Sequence, residues 1–313
     1  MIKKILIITF VLVFSCGNNS GAEKHSNQGW GYLPYYAVLN TEEIGVALRE
    51  YSVICASGFF LTQNGSVKRK NEAYIDSVAA QCGRSGRGFY PMITFSDPSA
   101  GISILTSDAL IAKAAGQIRM LVTQKNYTGI HLDLEHIPAA YKHRLAALLA
   151  AIKKTNTNTR ITFALYPQVD YNTKYSEFHD ISLFHPYIDE AVVMCYDLHC
   201  QDTGPGTVTN LDWAEKNILY ILRFMQPHRL RLGIPAYGYI WGKNGKAKAV
   251  SARQAVKKTA GKLFKRTGSG TLMISYGEKT GYVSDRHMRD EMKKLSVKYK
   301  LAGWAVWRIG FED

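Results

Sequence analysis

"GIHLDLEH", residues 129–136, places its titratable side chains on every second position. His131, Asp133 and Glu135 alternate there with aliphatic residues. Alternation with period two predicts a strand with one polar face and one apolar face. Two carboxylates about 6.6 Å apart along such a strand shift each other's pKa values on a partly buried face. Because this arrangement can make one carboxyl an acid and leave the other an anion, we predict a functional pair. An exposed edge strand with solvated charges is the alternative.

Strand-like and helix-like segments alternate on both sides of this stretch. The helix-like run "PAAYKHRLAALLAAIKK" follows at once, so the strand leads into a helix. The predicted strands cover residues 29–38, 51–62, 89–95, 129–136, 160–166, 190–196, 230–234 and 302–307, and the predicted helices cover 72–81, 107–125, 139–154, 213–225 and 286–299. Eight strands with helices between them predict an α/β fold, a (β/α)8 TIM barrel, which typically needs about 250 residues.

The connection between the seventh and eighth predicted strands is long and basic. It contains "GTLMISYGEKTGYVSD" and predicts a small α+β insertion at about residues 239–283. The whole chain carries a net charge of +14, and residues 243–300 hold 16 Lys and Arg against 4 Asp and Glu. A local basic block favours an anionic partner. On an exported protein, acidic wall polymer or lipid head groups fit better than nucleic acid, and a solvated lysine-rich face is the alternative.

The N-terminus indicates export. "MIKKILIITFVLVFSCGNNS" has two lysines, a short apolar run and then Cys16. This order is typical of a secretory signal, and the apolar run is too short to span a bilayer. A cysteine at this point resembles a bacterial lipoprotein cleavage site, which predicts a signal peptide at 1–15, a lipidated Cys16, a polar tether at 16–28 and the barrel at 29–313. We therefore expect a membrane-anchored lipoprotein of the cell envelope or surface. An ordinary signal peptide cut slightly later is the alternative.

The remaining cysteines, Cys55, Cys82, Cys195 and Cys200, match no metal-binding spacing. Exported proteins do not always pair their cysteines, so the sequence leaves their disulfide state open. We expect no metal site and no cofactor, and we expect a monomer that does not bind nucleic acid.

Several polar and aromatic residues fall where predicted strands end. In a TIM barrel the catalytic groups lie at the C-terminal ends of the strands. Glu135 ends the fourth predicted strand, Tyr196 and Asp197 end the sixth, Trp307 ends the eighth and Tyr35 lies near the end of the first. Acids and hydroxyls that bind sugar hydroxyls, beside aromatic rings that stack on a sugar face, predict a carbohydrate site.

Four motifs in order resemble glycoside hydrolase family 18, the chitinase family. "YTGIHLDLE", residues 127–135, resembles the family signature Asp-Gly-x-x-Asp-x-Asp-x-Glu. "MCYD" at 194–197 matches its Met-x-Tyr-Asp, "GIPAYG" at 233–238 resembles its strand-seven motif, and "GWAVWRIG" at 303–310 resembles its last strand. The resemblance covers nearly the whole chain after the signal peptide. "YDLHCQDTGPGTVTNLDWAEKNI" and "WRIGFED" are most similar to the peptidoglycan-active and spore-germination branch of the family.

The resemblance implies a glycosidase that cleaves β-1,4-linked N-acetylglucosamine in peptidoglycan or a chitin-like glycan. It implies a retaining, substrate-assisted mechanism, in which the acetamide of the substrate attacks its own anomeric carbon. Glu135 is then the general acid, and Asp133 orients and stabilises the oxazolinium ring. Tyr196 is expected to bind the acetamide oxygen, and the other expected sugar contacts are Asp197, Tyr237 and Trp307. Tyr35 and His131, from their places on the predicted strands, are further candidates for substrate binding.

Two residues depart from the family pattern. Thr128 replaces its first Asp, and His131 replaces the Asp that shares a proton with Asp133. The spore-type branch tolerates a neutral Asn at the second position, so activity need not be lost. A neutral His131 could hydrogen-bond Asp133, whereas a charged one would lower the pKa of Asp133. The pH optimum therefore stays open, and a simple core histidine is the alternative interpretation.

Two further functions stay open. The first is an endo-β-N-acetylglucosaminidase that acts on the chitobiose core of N-glycans. The second is a non-catalytic carbohydrate-binding lipoprotein, because this fold has lectin members. Those lectins usually lose the terminal acid of the signature, and Glu135 is present. The sequence does not distinguish exo from endo action.

Overall fold

The computed structural model describes residues 29–259 and 264–312. The predicted signal peptide, the tether and Cys16 lie outside these residues. Within them, no helix is both long enough and apolar enough to cross a membrane. The strands are β1 (Gly29–Leu33), β2 (Val53–Leu61), β3 (Val67–Arg69), β4 (Gly88–Phe95), β5 (Gly129–Leu132), β6 (Arg160–Leu165), β7 (Glu190–Met194), β8 (Leu230–Pro235), β9 (Gly238–Trp241), β10 (Ala247–Val250), β11 (Phe264–Arg266), β12 (Leu272–Tyr276), β13 (Lys279–Val283) and β14 (Gly303–Trp307).

Eight parallel strands close into a barrel. Their hydrogen-bonded order is β1-β14-β8-β7-β6-β5-β4-β2, and β1 also pairs with β2, which completes the ring. The short β3 adds antiparallel to the end of β2. The predicted (β/α)8 barrel is therefore confirmed.

Helices surround the barrel, and one further helix packs on a smaller second sheet. They are α1 (Thr41–Glu50), α2 (Glu72–Arg84), α3 (Pro98–Leu105), α4 (Asp108–Lys125), α5 (Lys142–Thr155), α6 (Thr173–Ser176), α7 (Ile181–Phe184), α8 (Leu211–Ile221), α9 (Ala252–Thr259) and α10 (Arg286–Lys298). The side chains of Asn40, Ser107, Asn210 and Asp285 each accept a hydrogen bond from a backbone N–H in the first turn of α1, α4, α8 and α10. Such caps satisfy donors that a helix start otherwise leaves unpaired, so they fix where these helices begin.

The alternation seen in the sequence separates two cores. Ile130 and Leu132 of β5 belong to the large apolar cluster that the helices cover, whereas His131 between them is buried inside the barrel. The barrel interior also holds Trp30 and Tyr32 of β1. Burying a leucine or isoleucine side chain stabilises the fold by about 1.5–3 kcal/mol. Burial of Ile130 and Leu132 against the helices therefore fixes the orientation of β5, and His131 consequently faces the barrel interior.

Three strands end at least two residues earlier than the sequence pattern predicts. β5 ends at Leu132, although the Asp133 N–H still donates to the Ile93 carbonyl at 2.9 Å. β7 ends at Met194, because the next two N–H groups turn back to carbonyls two residues earlier. β1 ends at Leu33, directly before a proline, which has no N–H for the ladder. Glu135 and Tyr196 therefore lie on loops just beyond the strands, where the backbone can aim them over the barrel.

A second sheet lies between β8 and α10. It is antiparallel, with the order β10-β9-β13-β12-β11, and we call residues 238–283 the lobe. One face of this sheet packs on α9 through Ile240, Val250, Ile274 and Val283. The other face presents Tyr239 and Trp241 to the barrel rim. The domain boundaries given by the sequence stay a prediction.

The four cysteines of the described residues are free thiols. Cys55, Cys82 and Cys195 are buried, and Cys200 is partly exposed. Burial raises the pKa of the Cys82 thiol to about 12 and raises that of Cys200 as well. These thiols are therefore protonated at neutral pH.

Candidate active site

A cavity of about 160 Å³ opens at the C-terminal end of the barrel strands. We call it the inner cavity. It is lined by Tyr32, Met92, His131, Asp133, Glu135, Ala164, Met194, Tyr196, Asp197 and Trp307. These residues come from β1, β4, β5, β6, β7 and β14 or from the residues just after them. The parallel barrel thus brings together side chains that are far apart in sequence, as the positions of catalytic groups in such barrels require.

Asp133 and Glu135 form a hydrogen-bonded carboxyl pair in this cavity. Burial, the charge of Glu135 and their hydrogen bond raise the pKa of Asp133. Burial also raises the pKa of Glu135 to about 7, although hydrogen bonds from Tyr166 and Asp133 oppose this and the charge of Asp197 adds to it. Two carboxyls this close do not both ionise easily, so the pair holds a shared proton near neutral pH.

His136 follows the pair and contacts its outer side. Its Nε2 lies 3.3 Å from Oε2 of Glu135, and its Nδ1 lies 3.5 Å from the hydroxyl of Tyr166. A positive φ of 62° at His136 turns the chain away directly after Glu135. The side chain of Glu135 is 23% exposed to solvent, because it faces the cavity. Glu135 is therefore accessible from solvent and also contacts Asp133 inside the cavity.

Asp197 is held by two tyrosines. The hydroxyls of Tyr237 and Tyr239 both donate to Oδ1 of Asp197, at 2.6 and 2.9 Å. Burial raises the pKa of Asp197, and these two hydrogen bonds act in the opposite direction. A φ of 58° at Asp197 places the residue in the left-handed region, which is uncommon for a non-glycine residue. Tyr237, a predicted sugar contact, thus lies behind Asp197 and orients it.

His131 is fully buried at the floor of the cavity. Its Nδ1 lies 2.8 Å from the Thr162 hydroxyl and its Nε2 lies 3.0 Å from the Tyr32 hydroxyl. Burial, with the nearby Arg231 charge, lowers its pKa to about 3, so His131 is neutral. Both ring nitrogens are occupied, and a hydrogen bond between His131 and Asp133 does not form.

The aromatic residues divide into those that reach the cavity and those that do not. Trp307 and Tyr32 line it, with ring centroids 5.5 Å apart. Tyr196 also lines the cavity and is only 8% exposed to solvent. Tyr35 packs instead against Tyr36 and Phe60 and lies outside the lining. Tyr32 was missed by the sequence reasoning, although its period-two spacing from the buried Trp30 could have indicated an inward position.

A second, outer cavity of about 260 Å³ adjoins the first. The two share Glu135, Met194, Tyr196 and Asp197. The outer cavity is otherwise lined by His136, Tyr166, Tyr171, Tyr175, Cys200, Gln201, Asp202 and Tyr239. Tyr166 and Tyr171 lie in the loop after β6, Tyr175 lies in α6 and Tyr239 lies in β9 of the lobe. The sequence analysis did not identify any of these four tyrosines. Glu135 therefore stands at the junction of two chambers.

The described residues contain no group of three or more His, Cys, Asp or Glu side chains placed to hold a metal ion. The chemistry that this geometry offers comes from the carboxyl pair, the tyrosine hydroxyls and the aromatic walls.

Known proteins share this sequence pattern and this fold. The profile described as "Glycosyl hydrolases family 18" matches residues 35–312. The uncharacterized glycosylase YvbX of Bacillus subtilis (strain 168) is 26% identical over 212 residues, which is 63% of this chain and 61% of YvbX. A second relative from that organism, YdhD, is 21% identical over 230 residues, 69% of this chain and 54% of YdhD. The chain thus spans less than two thirds of either relative.

Solved structures agree on the architecture. The chitinase of Chromobacterium violaceum ATCC 12472 superposes with a TM-score of 0.84 at 17% identity, covering 91% of this chain and 95% of that one. The spore cortex-lytic enzyme SleL of Bacillus megaterium QM B1551 gives 0.78 at 20% identity, covering 91% and 71%. At these sequence identities the superpositions show a shared fold and nothing more. The family match over nearly all of the described residues, on a barrel with a carboxyl pair at its mouth, shows that this chain belongs to glycosyl hydrolases family 18.

Proposed function

We propose that the chain hydrolyses β-1,4-linked N-acetylglucosamine in peptidoglycan by a retaining, substrate-assisted mechanism. The observation that carries the proposal is the proton-sharing pair Asp133–Glu135 at the junction of the two cavities. The motif resemblance to the peptidoglycan-active branch supports the substrate class. The fold shared with SleL, named a spore cortex-lytic enzyme, is consistent with it.

Glu135 is the acid in this mechanism. A carboxyl with a pKa of about 7 still holds its proton in much of the population at neutral pH, which is the requirement for a general acid. A glycan that fills both cavities would have its scissile bond beside Glu135. The proton then passes to the glycosidic oxygen as that bond breaks, and the leaving sugar departs through the outer cavity.

The inner cavity would hold the sugar that is attacked. Its acetamide oxygen forms a bond to the anomeric carbon as the leaving group departs, which gives an oxazolinium ring. Asp133, next to Glu135 in the inner cavity, takes the hydrogen bond of the acetamide N–H and stabilises the positive charge that develops there. Tyr196 donates to the acetamide oxygen, and Trp307 supports the sugar face. Water, activated by the now ionised Glu135, opens the ring with a second inversion.

Product analysis tests this function. The purified protein is incubated with peptidoglycan, chitooligosaccharides and a high-mannose glycopeptide, and the products are identified by mass spectrometry. We expect N-acetylglucosamine at the new reducing ends of peptidoglycan fragments, formed first as the β anomer in an NMR time course. Initial α anomer contradicts the mechanism. Cleavage confined to the glycopeptide identifies a chitobiose-core enzyme, and binding without cleavage of any of the three identifies a lectin.

We also propose that the protein is exported and held at a membrane by lipid on Cys16. The support is the cysteine that directly follows the lysines and apolar run of the N-terminus. Cys16→Ser should move the protein from the detergent phase to the aqueous phase. Unchanged partitioning, with no lipid mass on the wild-type N-terminal peptide, contradicts the anchor.

A further inference from the structure

Four groups form a hydrogen-bonded row across the barrel floor. The Thr162 hydroxyl lies 2.9 Å from the Ile130 carbonyl oxygen and 2.8 Å from Nδ1 of His131. Nε2 of the same ring lies 3.0 Å from the Tyr32 hydroxyl, which belongs to a strand 99 residues earlier. Thr162 and His131 are fully buried, and Tyr32 lines the inner cavity. The row therefore connects the closed core of the barrel to the site.

The direction of each hydrogen bond in this row follows from counting protons. A carbonyl oxygen has no hydrogen, so the contact between Ile130 and Thr162 uses the single hydroxyl hydrogen of Thr162. Thr162 can then only accept from His131, which places the one ring proton of the neutral imidazole on Nδ1. Nε2 is left as an acceptor, and the Tyr32 hydroxyl must donate to it. The Tyr32 oxygen consequently faces the cavity with lone pairs and without a hydrogen.

We propose that Thr162 and His131 are positioning residues that fix Tyr32 as a hydrogen-bond acceptor towards the inner cavity, so that the floor of the site favours a protonated Asp133 and the N–H of the substrate. The proposal rests on the assignment of Asp133 and Glu135 in the proposed function. An acid at position 131 could exchange a proton with Asp133. The fixed row cannot do so, and it leaves Glu135 as the partner with which Asp133 shares its proton.

The electrostatic surroundings agree with this direction. A hydroxyl that donated into the cavity would favour an ionised Asp133, whereas burial and Glu135 both hold the pKa of Asp133 above its usual range. The titratable and charged groups that face the row and the carboxyl pair from the neighbouring elements are Cys55, Tyr166, Tyr196, Asp197, Arg231 and His136.

The tautomer of His131 is the direct test. In ¹⁵N NMR of the histidine-labelled wild type, we expect a protonated Nδ1 and an unprotonated Nε2 that do not titrate between pH 5 and 9. His179 supplies an internal reference of the opposite tautomer, because its Nδ1 accepts from the Tyr166 N–H at 3.0 Å and its Nε2 donates to the Leu134 carbonyl at 2.9 Å. The signals are assigned by their loss in His131→Gln, or by the change in Thr162→Ser if that variant does not fold.

A kinetic test uses a matched pair of substitutions. Thr162→Val keeps the shape but removes the acceptor for Nδ1–H, so the ring proton should move to Nε2 and free the Tyr32 hydrogen for Asp133. The acid limb of the kcat/KM profile, where Asp133 ionises, should then shift to lower pH by about one unit. Thr162→Ser keeps the hydroxyl and should leave the limb in place. In a Tyr32→Phe background, Thr162→Val should produce no further shift.

The results separate this proposal from the proposed function. A wild-type His131 protonated at Nε2 overturns the proposal even if the enzyme is fully active. If Thr162→Val lowers kcat/KM without changing the pH of the limb, the row only packs the core. The same conclusion holds if Thr162→Val shifts the limb equally in the Tyr32→Phe background. If no glycan is cleaved, the proposed function fails, while the tautomer still decides whether Tyr32 is held as an acceptor.

Discussion

The two cavities and the lobe carry opposite charge, and they carry it in different ways. The cavities gather Asp133, Glu135, Asp197 and Asp202, of which the first three are tied by hydrogen bonds within the site. The lobe contains ten Lys and Arg and one acid, and its cations stand mostly in solvent. Charge that is desolvated and paired can be tuned for chemistry, whereas exposed charge acts at long range and is screened by salt. The comparison predicts that substitutions at the cavities change the reaction and that substitutions on the lobe change where the protein binds.

The largest effect is expected for Glu135→Gln. This change removes the acid at the junction of the cavities, and general acid catalysis contributes about 10²- to 10⁴-fold. kcat on an unactivated oligosaccharide should fall by at least this range. Glu177→Gln, at an exposed helical position, is the matched control and should retain activity. Full activity in Glu135→Gln would refute the site assignment.

Asp133→Asn should lower kcat by a comparable factor, because it removes the charge that stabilises the oxazolinium ring. A thiazoline mimic of that ring gives a more specific measurement. A hydrogen bond to a charged group is worth about 1.5–3 kcal/mol, so the mimic should bind the variant at least about 10-fold more weakly. Asp212→Asn, on the exposed side of α8, serves as the control. Equal affinity of wild type and Asp133→Asn would remove Asp133 from the mechanism.

The pH dependence should show the raised pKa of Glu135. The acid must be protonated, so kcat/KM should fall as the pH rises through about 7. The same shift affects stability: a carboxyl whose pKa is raised on folding favours the folded state at low pH and loses that contribution as the pH rises through the folded value. Glu135→Gln should therefore raise the midpoint of thermal unfolding relative to wild type at pH 8, and much less so at pH 4. No difference between the two pH values would show that Glu135 is not desolvated.

The smallest effect is expected on the lobe. Lys257 and Lys258 lie exposed on α9, and each exposed contact to an anionic polymer is worth about 0.2–1 kcal/mol. Lys257→Gln and Lys258→Gln should each weaken binding to isolated cell walls by about 1.5- to 5-fold, without changing hydrolysis of soluble oligosaccharides. Lys113→Gln and Arg119→Gln on α4 remove the same charge elsewhere and should leave wall binding unchanged.

Binding of the lobe to cell walls should depend on salt concentration. Screening lengths shrink from about 30 Å at 0.01 M to about 3 Å at 1 M, so wall binding should weaken steeply over this range. Binding that does not respond to salt would leave the lysines of the lobe as solvated surface.

The sequence predicted the elements and the carboxyl pair because both depend on local spacing. Period-two alternation placed Asp133 beside Glu135, and the motifs placed Tyr196, Asp197 and Trp307 at one rim. The sequence did not predict Tyr166, Tyr171 and Tyr175 in the outer cavity, since they lie in or next to an irregular loop after β6. The sequence also did not predict the partners of His131, because Thr162 reaches it through the register of the neighbouring strand β6 and Tyr32 through the closure of the barrel.

The direction of β1 has a consequence for the reach of the enzyme. Gly29 begins β1 at the end of the barrel opposite the cavities, and nine residues of β2 give the barrel wall a length of about 30 Å. The 13 residue steps from Cys16 to Gly29 span at most about 45 Å when fully extended. With Cys16 in a bilayer as proposed, a tether longer than the barrel wall lets the open end face outward or turn back towards the membrane surface. An anchor of this length would therefore leave both glycan strands above the membrane and material at its surface within reach of the cavities.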